Sequence, residues 1–321
     1  MTSLTSTAKP KLVFFGTGPV AAESLKLLSE WADIETVITK PRPPHHNGSV
    51  PVIELAKLLN LPLQTVSNKT ALSSLIAASK YQSRLGVLID FGIIVNQDVI
   101  DSFELGIINS HFSLLPQWRG ADPITFAILS GQKNSGVSLM LLVEAMDEGP
   151  ILAVGIQENV DTMTTPELTR QLILLSDGLL KVELPRYICN QSKGLQQSEL
   201  HKKIPNYPAQ PSYSRKLSKI DSVLDFSKPA SQLEREIRGF LGWPGSRTAI
   251  IDIPVTITKT HISTPVSEEI PVNTFFVHSK NLCVQTGDGV LVVDELIPAG
   301  KKTMSGKAFL AGYGRALPRV N

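Results

Sequence analysis

Residues 11–15, Lys-Leu-Val-Phe-Phe, form an apolar run that stops at Gly16-Thr17-Gly18, and an amphipathic stretch over 20–31 follows at once. A buried strand, a glycine turn and a helix in that order open an α/β sheet. The pattern recurs. Strands are expected at 34–39, near Leu63, at 86–89, at 106–108, at 137–143 and at 151–156. Helices are expected over 52–59 and 71–80, from Pro123, and over 166–188, where a long one closes the domain. Strands separated by helices of this length pair mostly in parallel and are covered on both faces. The expected fold class is α/β, with an N-terminal doubly wound, Rossmann-like sheet.

With Ala21 the first turn reads G-x-G-x-x-A, a permitted dinucleotide fingerprint, so a nicotinamide enzyme has to be weighed. That reading needs an acidic residue at the end of the second strand. Lys40-Pro41-Arg42-Pro43-Pro44 stands there instead, and Arg42 could face a 2′-phosphate. The competing reading is a tight strand-to-helix turn. The following loop holds His45 and His46, which could ligate a metal, yet no cysteine or carboxylate cluster accompanies them, and a basic rim loop is the simpler interpretation.

The chemistry concentrates in 107–120, IINSHFSLLPQWRG. Asn109 and His111 stand two residues apart where a buried strand leaves its sheet, so both side chains point to one face. Ser113 shares that face if the strand persists, before Pro116 turns the chain. An amide and an imidazole together suit a carbonyl oxygen gaining negative charge. A capping Asn beside a core His is the structural alternative. The most apolar strand, 137–143, delivers Asp147 beyond its end. Asp147 is either a turn former or a carboxylate that meets His111 and helps manage a proton. Gly92, after the strand at 86–89, lets backbone approach a ligand closely.

Residues 190–214 are rich in Gln, Lys, Ser and Pro and read as a linker. Beyond it come an amphipathic helix at 230–241, carrying Arg235 and Arg238, and about five short strands between 248 and 296, suited to a small OB-like β-barrel. The expected division is a loose tail at 1–10, a catalytic domain at 11–189, the linker, and a C-terminal domain at 215–321. From Tyr207 onward 14 Lys and Arg face 10 Asp and Glu, against 17 and 19 before it, so the C-terminal part is the half suited to a polyanion. Cys189 and Cys283 lack metal or disulfide spacing, and no apolar run approaches membrane-spanning length, which points to the cytoplasm.

Asn109-Ser110-His111, Ser113-Leu114-Leu115-Pro116, Trp118-Arg119-Gly120 and Asp147-Glu148-Gly149 together resemble the signature of the folate-dependent formyltransferases. The C-terminal part resembles the methionyl-tRNA formyltransferases among them, through Lys216-Leu217-Ser218-Lys219, Asp225-Phe226-Ser227, Trp243-Pro244 and Pro298-Ala299-Gly300-Lys301-Lys302. The resemblance implies transfer of formyl from 10-formyltetrahydrofolate to the α-amino group of methionyl-initiator tRNA, in translation initiation. It implies catalysis by Asn109, His111 and Asp147 without a metal. A folate site is implied along 87–94 and the Asp147 strand, with Phe91, Gly92, Ile93, Ser113, Leu114, Leu115, Pro116 and Met146. Candidate tRNA contacts are Arg42, Lys202, Lys203, Arg215, Lys216, Lys301 and Lys302. The expected state is a monomer with neither DNA nor membrane as partner.

The chain departs from the family at two places. The longer basic loop that reaches the acceptor end of tRNA is replaced here by Pro44-His45-His46-Asn47-Gly48-Ser49. Ala145 stands where the family has Gly, and Glu148 where it has Thr or Ser. The rival readings are a formyltransferase of the same fold acting on a nucleotide-linked amino sugar, and a noncatalytic RNA-binding protein on this scaffold.

Overall fold

The computed structural model describes residues 9–44, 48–263 and 269–320. The tail expected at 1–10 therefore falls almost wholly outside the described residues, as do His45 and His46. Two compact units are present. The first is built from 1–123, 134–158 and 169–214, and the second from 124–133, 159–168 and 215–321.

In the first unit the chain runs β1 (Lys11–Phe15), α1 (Pro19–Trp31), β2 (Asp33–Thr39), α2 (Pro51–Leu58), β3 (Leu63–Thr65), α3 (Lys69–Ala78), β4 (Gly86–Leu88), α4 (Gln97–Asp101), β5 (Ile107–His111) and β6 (Arg119–Gly120). After α5 (Pro123–Ser130), which belongs mostly to the second unit, come β7 (Ser135–Leu141), β8 (Ile151–Gln157), α6 (Thr165–Asn190), α7 (Gln197–Lys203) and β9 (Tyr213–Ser214). Seven strands form one sheet in the order β3-β2-β1-β4-β5-β7-β8. The pairs from β3 to β5 are parallel, and β7 and β8 are antiparallel additions. Leu12, Val13, Phe14 and Phe15 are fully buried, which is why β1 reads as a continuous apolar run rather than an alternating one.

Local sequence fixes several boundaries. Pro19 opens α1, where its missing N–H costs nothing, and the Asn68 side chain caps α3 by accepting from the Ala71 N–H. The long helix α6 is anchored by Trp31 Nε1 donating to Asp177 Oδ1 at 2.8 Å and by Tyr187 Oη donating to the Leu105 carbonyl at 2.8 Å. The stretch 190–214, expected as a linker, instead contributes α7 and β9 to this unit, with β9 pairing in parallel to β6. Short α7 and two-residue β9 carry no periodicity long enough to betray them.

The second unit holds α8 (Ala230–Gly239), β10 (Ser246–Ile250), β11 (Ile253–Ser263), β12 (Phe275–His278), β13 (Asn281–Gln285), β14 (Val290–Pro298), β15 (Met304–Ser305), α9 (Gly306–Tyr313) and β16 (Arg319–Val320). Its strands lie in the order β10-β11-β14-β13-β12-β16, with β15 on β14, and only the β12–β16 pair is parallel. The OB-like expectation thus corresponds to a separate, mostly antiparallel sheet. One core, including Leu233, Ile237, Val277, Leu291 and Phe309, joins α8 and α9 to the sheet. Arg235 and Arg238 of α8 are spent inside this unit, donating to the main-chain oxygens of Leu129 and Met163. No helix among the described residues is long and apolar enough to cross a membrane.

Candidate active site

The strand order turns back on either side of β1, so the crevice at the carboxyl ends of β1 and β4 is the topological switch point, where open α/β sheets bind ligands. Here the chain stitches the two strand ends together. The Thr17 N–H donates to the Asp90 carbonyl at 2.9 Å, and Thr17 Oγ1 donates to the Phe91 carbonyl at 2.8 Å. A Cβ added to Gly18 would stand 2.1 Å from Asp90 Oδ2, so the glycine turn is filled by the chain's own carboxylate. A pyrophosphate on that helix terminus would meet this negative group, which argues against the nicotinamide reading of G-x-G-x-x-A.

One strand further, β5 carries Asn109 and His111 on one face. Ser110 points to the other, where its hydroxyl shares a 2.7 Å hydrogen bond with Ser176 of α6. All five residues of β5 are buried between β4 and β7, with Leu88 opposite Asn109 on one side and Met140 on the other. Neither functional side chain therefore has freedom to wander. Asn109 Nδ2 lies 3.4 Å from Asp147 Oδ1, and His111 Nδ1 lies 3.7 Å from the same oxygen. The opposite ring nitrogen, Nε2, is 3.0 Å from the Trp118 carbonyl. A carbonyl only accepts, so Nε2 carries the proton and Nδ1 faces Asp147.

Asp147 adopts a left-handed backbone, φ +52°, in the turn after β7. Its Oδ2 accepts from the Gly120 N–H at 2.7 Å. Gly120 has φ +104°, and a Cβ there would come within 2.6 Å of the Ser214 carbonyl, so only glycine lets β6 lie against β9 and aim this N–H. The segment before it is equally held. Ser138 Oγ donates to the Ser113 carbonyl and accepts from the Leu115 N–H, while Ser212 Oγ accepts from the Trp118 N–H.

Asn109, His111 and Asp147 are thus brought together as expected from spacing. The proposed folate contacts divide. Gly92, at φ +66°, and Met146 are exposed, and Ile93 is half-buried. Phe91 is buried edge-on against Phe15, and Leu114, Leu115 and Pro116 are buried, the two leucines in a cluster with Met140, Ile151 and Tyr207. Ser113 leaves the strand face, donating its hydroxyl to the Gln117 carbonyl at 2.6 Å. Of the basic candidates, Lys202, Lys203, Lys216, Lys301 and Lys302 are exposed. Arg42 is ion-paired with Glu54 at 3.5 Å, and Arg215 with Asp221, whose carboxyl is thereby held well below its usual range. Among the described residues no group of three or more His, Cys, Asp or Glu is arranged to hold a metal.

Sequence reasoning gives Gly120 no role beyond its place in the Trp118-Arg119-Gly120 motif, and gives none to Gln197 or Asp90. The first two act from short segments without regular pattern. Asp90 looks like an ordinary turn residue. It is solvent-accessible at the crevice, yet the surrounding protein and then Asp122 push its carboxyl up to about 6, with Lys40 pulling the other way.

Residues 11–175 match the family described as "Formyl transferase", and residues 216–314 match "Formyl transferase, C-terminal domain". A methionyl-tRNA formyltransferase of Roseiflexus castenholzii is 30% identical over 300 residues, covering 92% of this chain and 93% of the relative. Its counterpart in Herpetosiphon aurantiacus is 31% identical over 310 residues, with coverages of 94% and 97%. Among solved structures, an N-formyltransferase from Helicobacter canadensis, in complex with folinic acid and dTDP-3-aminofucose, superposes with a TM-score of 0.62 at 18% identity, over 89% of this chain and 99% of that one.

Proposed function

The chain belongs to the formyl transferase family, and from that membership we propose that it carries the formyl group of 10-formyltetrahydrofolate to the α-amino group of methionine on initiator tRNA. The observation that carries the chemistry is the convergence of Asn109, His111 and Asp147 at the end of β5. The methionyl amine, as the free base, attacks the formyl carbon, and the carbonyl electron pair moves onto oxygen. Asn109 Nδ2 donates to that oxygen as it becomes an oxyanion, and His111, whose Nε2–H is held by the Trp118 carbonyl, adds to this when a proton on Nδ1, beside Asp147, makes the ring an imidazolium. Asp147, fixed by the Gly120 N–H, accepts the proton leaving the amine, directly or through one water. Collapse then breaks the bond from the formyl carbon to folate N10, and tetrahydrofolate departs with a proton on that nitrogen.

The acceptor assignment is supported by relatives of that activity aligned over more than nine-tenths of the chain, C-terminal unit included. It is also supported by the positive excess of that unit and its exposed Lys301 and Lys302. Gly92, Ile93 and Met146 are the accessible part of the donor surface.

The test is transfer of labelled formyl from 10-formyltetrahydrofolate, run in parallel on methionyl-initiator tRNA, methionyl-elongator tRNA and a dTDP-amino sugar. Transfer to initiator alone is expected. Transfer to both tRNAs would keep the chemistry but remove initiator selectivity, transfer to the sugar alone would replace the acceptor, and tRNA binding without tetrahydrofolate release would leave only a binding protein.

A further inference from the structure

Arg119, Glu148 and Gln197 form a ring of hydrogen bonds around the Asp147 turn that the proposed chemistry does not use. Gln197, the first residue of α7, is 5% exposed. Its Nε2 donates to the main-chain oxygens of Asp147 at 2.8 Å and Gly149 at 3.0 Å, and its Oε1 accepts from Arg119 Nη2 at 2.8 Å. Arg119 Nη1 donates to Glu148 Oε1 at 2.7 Å. The next residue, Gly120, donates its N–H to Asp147 Oδ2. One dipeptide, Arg119-Gly120, therefore reaches Asp147 twice: directly at the carboxylate, and through Gln197 at the backbone.

The side-chain type matters. Two carbonyls require two N–H donors, and a guanidinium requires an acceptor; a primary amide supplies both, whereas a carboxylate has no donor and an ammonium no acceptor. The turn needs such support. Glu144, Ala145, Met146 and Glu148 are exposed, and Asp147 sits in a left-handed conformation, φ +52°, which Asp tolerates but which no side chain of its own exposed turn holds in place. Anchoring α7 to the domain would take only one of these bonds. All three bonds of Gln197 instead converge on the residues that flank or hold Asp147.

We propose that Gln197 is a positioning residue for formyl transfer, locking the backbone of the Asp147 turn so that the carboxylate stays against Asn109, His111 and Gly120. The inference rests on Asp147 being the proton-accepting carboxylate. Gln197→Met keeps the bulk of the side chain and removes every bond, while Gln197→Glu keeps a partner for Arg119 and sets a carboxylate against two carbonyl oxygens.

With 10-formyltetrahydrofolate and methionyl-initiator tRNA, both variants are expected to lose on the order of tenfold in kcat with KM for either substrate within about twofold, since a small misplacement of a catalytic group mainly affects the transition state. In an Asp147→Asn background Gln197→Met should cost nothing further, because the two act as one unit. A readout independent of any acceptor is amide exchange. The Gly120 N–H should exchange about tenfold faster in Gln197→Met while the amides of β5 and β7 keep their protection, as expected of a local rather than global opening. Additive losses in the double variant, or Gly120 exchange equal to wild type, would overturn the positioning role alone. Full activity in Asp147→Asn would overturn the catalytic reading and the positioning role with it.

Discussion

Asp90 and Asp147 make an instructive pair. Each is a non-glycine residue in the left-handed region, φ +48° and φ +52°, and each stands in the turn after a buried strand of the same sheet. Their surroundings differ. Asp147 is gripped by the Gly120 N–H, lies within 3.4 Å of the Asn109 amide, and has its backbone bonded by Gln197. Asp90 faces the like charge of Asp122, with Lys40 as the compensating cation, and Lys40 itself donates to the Gly92 carbonyl at 2.5 Å. A carboxylate tied by donors has a fixed position and suits chemistry. One governed by desolvation and neighbouring charge has a movable proton instead, so its influence falls on pH dependence.

The largest expected effects are at the tied end. Asn109→Ala and His111→Ala should each lower turnover on the order of a hundredfold or more, with a much smaller change in donor binding, since in the proposed reaction they stand where charge develops in the transition state. Steady-state kinetics with folate and tRNA varied separately checks this. Unchanged turnover in both would dissolve the distinction between a chemical and an electrostatic aspartate.

Much of this contrast was legible in the sequence, and the part that was not has a physical cause. The alternation of strand and helix implied the parallel sheet, and the period of two put Asn109 and His111 on one face, because strand geometry transmits spacing directly into direction. Asp147 was legible as the residue beyond the most apolar strand. Gly120 was not, since its contribution is a main-chain N–H aimed by pairing with Ser214, 94 residues later, and no local pattern encodes such a partner. Gln197 sat within what read as a polar linker. Ser113 shares the face of Asn109 and His111 only if the strand persists, and β5 ends at His111. For Gly120 and Gln197 the missing information was a long-range hydrogen bond, and for Ser113 it was the end of a strand, its hydroxyl bonding only four residues on.

Asp90→Asn sharpens the other side of the comparison. The folded protein holds the Asp90 proton up to about pH 6, whereas the unfolded chain releases it near the ordinary value of 3.8. Between those values the native state binds the extra proton, so the contribution of this group to stability is full below about pH 4 and is lost as pH rises through about 6. Asparagine does not titrate. The variant should therefore gain on wild type as pH rises across that window, by ~1 kcal/mol or about 2–4 °C in Tm once solvent screening at this accessible site is allowed for. Thermal melts of both proteins at pH 4 and pH 7 decide it, and a constant difference between them would show that Asp90 titrates normally.

The smallest effect is expected where charge is neither buried nor tied. Lys301 and Lys302 are exposed in the turn following β14. Their role in the proposed reaction is to neutralise phosphates of tRNA, a contribution that salt competes away. Lys301→Glu with Lys302→Glu should raise KM for tRNA several-fold at low salt and leave kcat unchanged, and every phosphate left without its lysine should flatten the slope of log affinity against log salt by about 0.7–0.9. The same substitutions leave folding untouched, because exposed charges of this kind contribute little to stability. A slope identical to wild type would remove these lysines from the tRNA surface and shift the electrostatic part of recognition to Lys202, Lys203 and Lys216, which are also exposed.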